Sequence, residues 1–225
     1  MPFGEEQWIF VDRTDVGCKL AQQLRTYQDR KDAVVLGVPR GGVVVAFEVA
    51  SALHMPLDIF VVRKLGVPGR EELAFGAIAS GNVRVLDREI VTGLEITEKQ
   101  IDEVTETARK ELERREHLYR GGRTPLALEG RTVLLIDDGI ATGSSMLAAI
   151  RALRQSKPAR LVVAVPVAPQ ATCVRLRREV DELVCVATPK FFYAIGQFYE
   201  DFSQVTDEEV KELLRLAPQP ALQNA

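Results

Sequence analysis

The chain is poor in the residues from which metal centres and disulfide frameworks are built, with three cysteines and two histidines among 225 residues. Cys18, Cys173 and Cys185 are odd in number, lack C-x-x-C spacing and have only His54 and His117 for company, so they read as reduced, structural thiols. Basic excess is missing as well. Lys and Arg total 29 against 32 Asp and Glu, a net charge of −3. A protein that grips a nucleic-acid backbone over a wide face is usually basic, so no nucleic-acid partner is expected, although a local cationic pocket for a small anion is compatible. Long apolar runs are lacking too: the longest stretch without a polar side chain, 161–169, is broken by Pro166. It falls far short of the roughly 20 residues of a membrane span. Glu5, Glu6, Asp12 and Asp15 stand where an export signal needs a basic patch and an apolar run, which gives a cytoplasmic expectation. A hydrophobic fraction of 46% with 27% charge excludes disordered and fibrous classes.

What is present is a set of short, β-branched apolar runs that end in turn residues: 33–38, 57–62, 133–136, 161–165 and 183–187. Between several of them, 42–53, 144–155 and 170–180 place apolar residues three and four apart. The pattern predicts an α/β protein with a parallel central sheet flanked by helices. Two segments break the alternation. Residues 77–79 and 83–86, joined by Ser80-Gly81-Asn82, read as a small antiparallel flap. Residues 97–119 read as one long charged helix with Ile101, Val104, Ala108 and Leu112 as its apolar stripe and Gly121-Gly122 as its stop.

The most informative stretch runs Val133-Leu134-Leu135-Ile136-Asp137-Asp138-Gly139-Ile140-Ala141-Thr142-Gly143-Ser144-Ser145. An apolar strand delivers two acids to its carboxyl end, and a loop of small residues then opens a helix. The turn's N–H groups, the hydroxyls of Thr142, Ser144 and Ser145, and the positive helix end suit a phosphate monoester. Like charge disqualifies Asp137 and Asp138 as phosphate ligands. They suit sugar hydroxyls, or Mg²⁺ held directly or through water. An ordinary capped strand-to-helix turn is the plain alternative. The Lys of a Walker loop is absent after the glycine, and there is no G-x-G-x-x-G.

These thirteen residues resemble the phosphoribosyl pyrophosphate (PRPP) motif of type I phosphoribosyltransferases, and a core at about residues 30–190 agrees in order and spacing. The resemblance implies one domain over 1–217, with a helical insertion at about 95–122, a C-terminal hood at about 188–205 and a flexible tail at 218–225. It further implies that Asp137 and Asp138 engage the ribose hydroxyls and Mg²⁺, while Gly139, Ile140, Ala141, Thr142, Gly143, Ser144 and Ser145 form the loop around the 5′-phosphate. Pro39-Arg40-Gly41-Gly42 resembles the family's pyrophosphate loop, and Arg63-Lys64 its second basic contact. Arg40 and Lys64, with the two acids, are thereby the expected catalytic set. The segment 65–75 corresponds in position to a mobile lid that excludes water from an oxocarbenium-like centre.

The hood crowds Phe191, Phe192, Tyr193, Phe198 and Tyr199 together, with the first three the candidates for stacking on a flat nitrogenous acceptor, although these rings suit a local core or a subunit contact equally. Ala141 replaces the acid that hypoxanthine-guanine enzymes carry there, which removes the handle for a 6-oxopurine. The chain is thus similar to free-standing bacterial members without an assigned acceptor. The activity implied is Mg²⁺-dependent transfer of the phosphoribosyl group to a base. A PRPP-sensing regulator is the alternative, and family precedent implies a homodimer.

Overall fold

A computed structural model describes residues 10–81 and 83–218. In chain order the elements are α1 (Arg13–Gln23), β1 (Ala33–Gly37), α2 (Gly41–Leu53), β2 (Leu57–Ile59), β3 (Val62–Val67), β4 (Arg70–Ala79), β5 (Val83–Leu86), α3 (Arg88–Gly93), α4 (Glu98–Arg120), β6 (Thr132–Ile136), α5 (Ser144–Gln155), β7 (Arg160–Val167), α6 (Gln170–Leu176), β8 (Glu182–Ala187) and α7 (Asp207–Leu216).

The apolar runs form a five-stranded parallel sheet in the order β2-β1-β6-β7-β8. All residues of β1 and β6 are buried, because helices cover both faces of the sheet. Strand alternation divides these residues between two cores. Val35, Leu134, Ile136 and Val162 face the side of α1, α2 and α7, whereas Leu36, Val133, Leu135 and Val163 face α5 and α6. Three of the four residues expected to be catalytic, Arg40, Asp137 and Asp138, follow β1 and β6 at the carboxyl edge, where the two strands lie side by side with Gly37 opposite Ile136.

The run 57–62 does not stay in one sheet. After β2 the chain makes one further bond, Phe60 N–H to the Gly37 carbonyl at 2.9 Å, and then turns into a separate antiparallel sheet, β3-β4-β5. Here the loop expected at 65–75 is corrected to two paired strands joined at Pro68-Gly69, with a register shift on either side of Gly66. Leu65, Val67 and Phe75 are buried in this sheet, which gives the segment an apolar reason to pair. The flap therefore begins earlier and is larger than its second hairpin alone, and of the turn Ser80-Gly81-Asn82, Asn82 lies outside the described residues.

The long helix is present as α4. Thr97 and Gln100 form a reciprocal capping box, and Gly121 closes it in the left-handed conformation at φ 56°. Ile101, Ala108 and Leu112 are buried as the stripe requires, and Arg120 is buried at its end. Its guanidinium bonds Asp58 at the end of β2 (Nε to Oδ1, 3.0 Å), Glu116 (2.6 Å) and the Ile59 carbonyl (3.0 Å). Helix 170–180 is shorter than its periodicity suggests and ends at Leu176. The chain does not fray directly after Leu216: Ala217 is buried and the Pro218 carbonyl accepts from Leu57 N–H at 3.4 Å, while 219–225 lie outside the described residues. No helix among the described residues is long and apolar enough to cross a membrane.

Candidate active site

β6 carries Asp137 and Asp138 to the sheet edge as expected, and two helices shape the loop that follows. The Ile140 N–H bonds the Val167 carbonyl (2.9 Å), tying the loop to β7. From α6, the Thr172 hydroxyl donates to the Ala141 carbonyl (3.1 Å) and Arg175 donates to the Thr142 carbonyl. With those carbonyls held from behind, the N–H groups of Thr142, Gly143 and Ser145 donate to no protein acceptor among the described residues. Gly143, at φ 74°, caps α5, and a Cβ there would lie 2.7 Å from Thr172. Thr142, Ser144 and Ser145 are exposed, so their hydroxyls and the helix end form an open, electropositive cradle.

The two acids sit in a different environment. Asp137 Oδ1 accepts the Asp138 N–H at 2.9 Å. Burial, and then the neighbouring Asp138 charge, push the Asp137 carboxyl well above the usual carboxylate range. Asp138 Oδ2 is paired with Arg13 Nε at 2.8 Å, and Tyr199 donates its hydroxyl to the Asp138 carbonyl at 2.7 Å. Burial and the Asp138 charge raise the Tyr199 phenol, which keeps it a donor. Besides these bonds the two carboxyl groups also interact with each other.

The loop after β1 closes directly on this pair. A Cβ on Gly41 would lie 1.9 Å from Asp138 Oδ2, and one on Gly42 would lie 2.8 Å from Asp137 Oδ1. Only glycines permit this approach. Gly41→Ala is accordingly expected to force Asp138 or Arg13 aside and to destabilise the fold by about 1.5–3 kcal/mol, from the loss of a charge-assisted hydrogen bond; thermal melts against wild type check it. Arg40 caps α2, half-exposed, with its Nη1 3.9 Å from Asp207.

The consecutive basic residues of β3 line one cavity beside α4 but differ in their ion pairing. Arg63 is ion-paired with Glu111 of α4 at 3.4 Å. Lys64 is exposed, has no ion pair among the described residues, and lines a cavity of about 290 Å³ with Ser144 and Arg151 of α5. Of the two, only Lys64 also lines the cavity that Ser144 lines.

In the hood, Tyr199 and Phe198 are buried and Phe192 packs on Phe198 with ring centroids 5.1 Å apart. Phe191 and Tyr193 project outward, 68% and 87% exposed. Of the three proposed stacking rings, two are available and one belongs partly to the hood's own core. Sequence reasoning missed Arg13, Thr172 and Arg175, and read Tyr199 as one of the hood's aromatic rings and not as a donor to the acid pair. Arg13 and Tyr199 stand outside the β6–α5 motif, and no local spacing ties any of the four to it.

Among the described residues no group of three or more His, Cys, Asp and Glu side chains is placed to hold a metal ion. Two adjacent carboxylates fit Mg²⁺ only if substrate oxygens and water complete its shell, which is the usual habit of that ion.

A phosphoribosyl transferase domain model matches residues 13–203. The chain belongs to that family, with the type I architecture of parallel sheet, flap and hood. A Mycobacterium tuberculosis protein that carries a provisional phosphoribosyl transferase name is 47% identical over 206 residues, covering 92% of this chain and 46% of that protein. The chain therefore spans about half the length of the curated relatives it matches. Among solved structures, the protein TT1426 from Thermus thermophilus is 42% identical, covers 91% of this chain and 97% of its own, and superposes with a TM-score of 0.81.

Proposed function

We propose that the chain is an Mg²⁺-dependent phosphoribosyltransferase that moves the phosphoribosyl group of PRPP to a nitrogenous base and releases pyrophosphate. The observation that carries this reading is the contact of the 39–42 loop with the acid pair, close enough that Gly41 has no room for a Cβ. It sets an Arg-bearing loop against two carboxylates at the sheet edge, from which the chain runs on into the open helix end.

In this reading the cradle formed by Thr142, Gly143, Ser144 and Ser145 holds the 5′-phosphate. The carboxyl groups of Asp137 and Asp138 accept from two vicinal ribose hydroxyls. Arg40 and Lys64, with the N–H groups beside Gly41, neutralise the leaving group. The bond from ribose C1 to the pyrophosphate oxygen breaks with its electron pair going to pyrophosphate, the acceptor nitrogen's lone pair forms the new bond to C1, and the nitrogen's proton passes to water. Mg²⁺, held by Asp137 and Asp138 through water or the ribose hydroxyls, would supply further neutralisation of the pyrophosphate charge. Phe191, Phe192 and Tyr193 are the proposed acceptor-facing rings.

The test is calorimetric titration with PRPP, with and without Mg²⁺, followed by pyrophosphate release across purine, pyrimidine and pyridine bases. Binding with release for one base is the expected result. Binding without release for any base favours a PRPP-responsive regulator, and no binding overturns the assignment of the cradle.

A further inference from the structure

Arg13 lies in the first turn of α1, 20 residues before β1 begins, yet its guanidinium reaches into the acid pair. Its Nε is 2.8 Å from Asp138 Oδ2, its Nη1 donates to the Ser203 carbonyl at 2.8 Å, and its Cζ lies 3.9 Å above the Phe202 ring. The pair is nearly dry, with side-chain exposures of 11% and 14%. A Cβ on Gly41 would also meet Arg13 Nε at 2.6 Å, so the arginine stands where the proposed pyrophosphate loop, the acid pair and the hood converge.

We infer that Arg13 is a positioning residue for ribose recognition, acting through Asp138; this rests on the PRPP reading above. A carboxylate on a short side chain can rotate both oxygens. Arg13 holds Oδ2 and the Tyr199 hydroxyl holds the adjacent carbonyl, so rotation of the carboxyl is restricted and Oδ1 is the oxygen that neither of them engages. The Phe202 face and the Ser203 carbonyl hold the guanidinium from the other side, through cation–π and hydrogen-bond contacts. The hood thereby sets the direction of the acid, through Arg13 and through the Tyr199 hydroxyl. A planar fork is suited to this, since it orients as well as neutralises.

The experiment compares ribose 5-phosphate with 2,3-dideoxyribose 5-phosphate, which share the phosphate but not the vicinal hydroxyls. Wild type is expected to prefer the first. In Arg13→Gln its affinity for ribose 5-phosphate should fall about tenfold, while affinity for the dideoxy ligand stays within about twofold. Equal weakening of both ligands would show a purely structural role, and unchanged affinities would show none; either overturns the inference. Arg13→Lys keeps the charge without the fork, and so keeps the test available should Arg13→Gln not fold. It is expected to narrow the preference about threefold, and an unchanged preference would overturn the proposal. A wild-type protein that binds the two ligands equally would instead overturn the reading of the acid pair itself, and with it this role.

Discussion

Replacing both acids, Asp137→Asn with Asp138→Asn, is expected to weaken PRPP binding a hundredfold or more while the protein stays folded. Each charge-assisted hydrogen bond contributes about 1.5–3 kcal/mol, so two account for about 3–6 kcal/mol at roughly 1.4 kcal/mol per tenfold. The single variants should move stability in opposite directions. Asp138→Asn leaves Arg13, 11% exposed at its side chain, without its counter-charge and lowers the melting temperature. Asp137→Asn removes a carboxylate that burial and the Asp138 charge hold in an unfavourable state, and keeps an oxygen for the Asp138 N–H, so it raises the melting temperature.

The pH dependence follows from the raised carboxyl of Asp137. The folded state binds that proton more tightly than the unfolded chain, so the penalty is absent below the unfolded value of about 4 and grows as pH rises towards the folded one. The stability difference between Asp137→Asn and wild type should therefore open on going from pH 4 to neutrality. Thermal melts at several pH values check the sign, and an Asp137→Asn protein that melts below wild type at pH 7 contradicts the burial penalty.

Arg120→Leu is expected to be the most damaging substitution remote from the site. Asp58 is 9% exposed at its side chain and Arg120 7%, and Asp58 also accepts from the Ile59 and Leu126 N–H groups at 2.8 and 3.2 Å. Removing the cation leaves a buried carboxylate uncompensated, a loss of about 3–5 kcal/mol. For a chain of this length the melting temperature should fall by roughly 6–20 °C. Pairing it with Asp58→Leu should recover part of the loss but not all, because two N–H groups then lack their acceptor. Denaturant unfolding at an unchanged slope would confirm that stability, and not the unfolded state, has shifted. The ion pair pins the end of α4 to β2, immediately before the chain enters the flap that carries Lys64.

The parallel sheet, the long helix and the cradle were legible in the sequence because each is encoded locally. A wholly apolar run between turn residues describes a strand covered on both faces, as β1 and β6 are. Thr97 and Gly121 mark the ends of α4 through side-chain and backbone chemistry that needs no tertiary partner. The lid segment was less legible, since its glycines suit a loop, and its pairing as β3 and β4 depends on burying Leu65 and Phe75 against other elements. Arg63 and Lys64 are adjacent in sequence, and only packing separates one onto Glu111 and leaves the other beside Ser144.

By itself, then, the sequence determined which residues stand at the strand ends of the proposed site: the Asp137-Asp138 pair, the small loop after it, and an arginine-glycine turn following an earlier strand. Those assignments rest on residue type and on spacing within one strand-turn-helix unit. The tertiary structure decided how the units face each other. It set Gly41 against Asp138, placed Thr172 and Arg175 behind the cradle, and brought Arg13 and Tyr199 to the acid pair from positions 125 and 61 residues away. Contacts of that separation arise from the packing of α1 and the hood around the sheet edge, and packing is a property of the whole chain with no local signature.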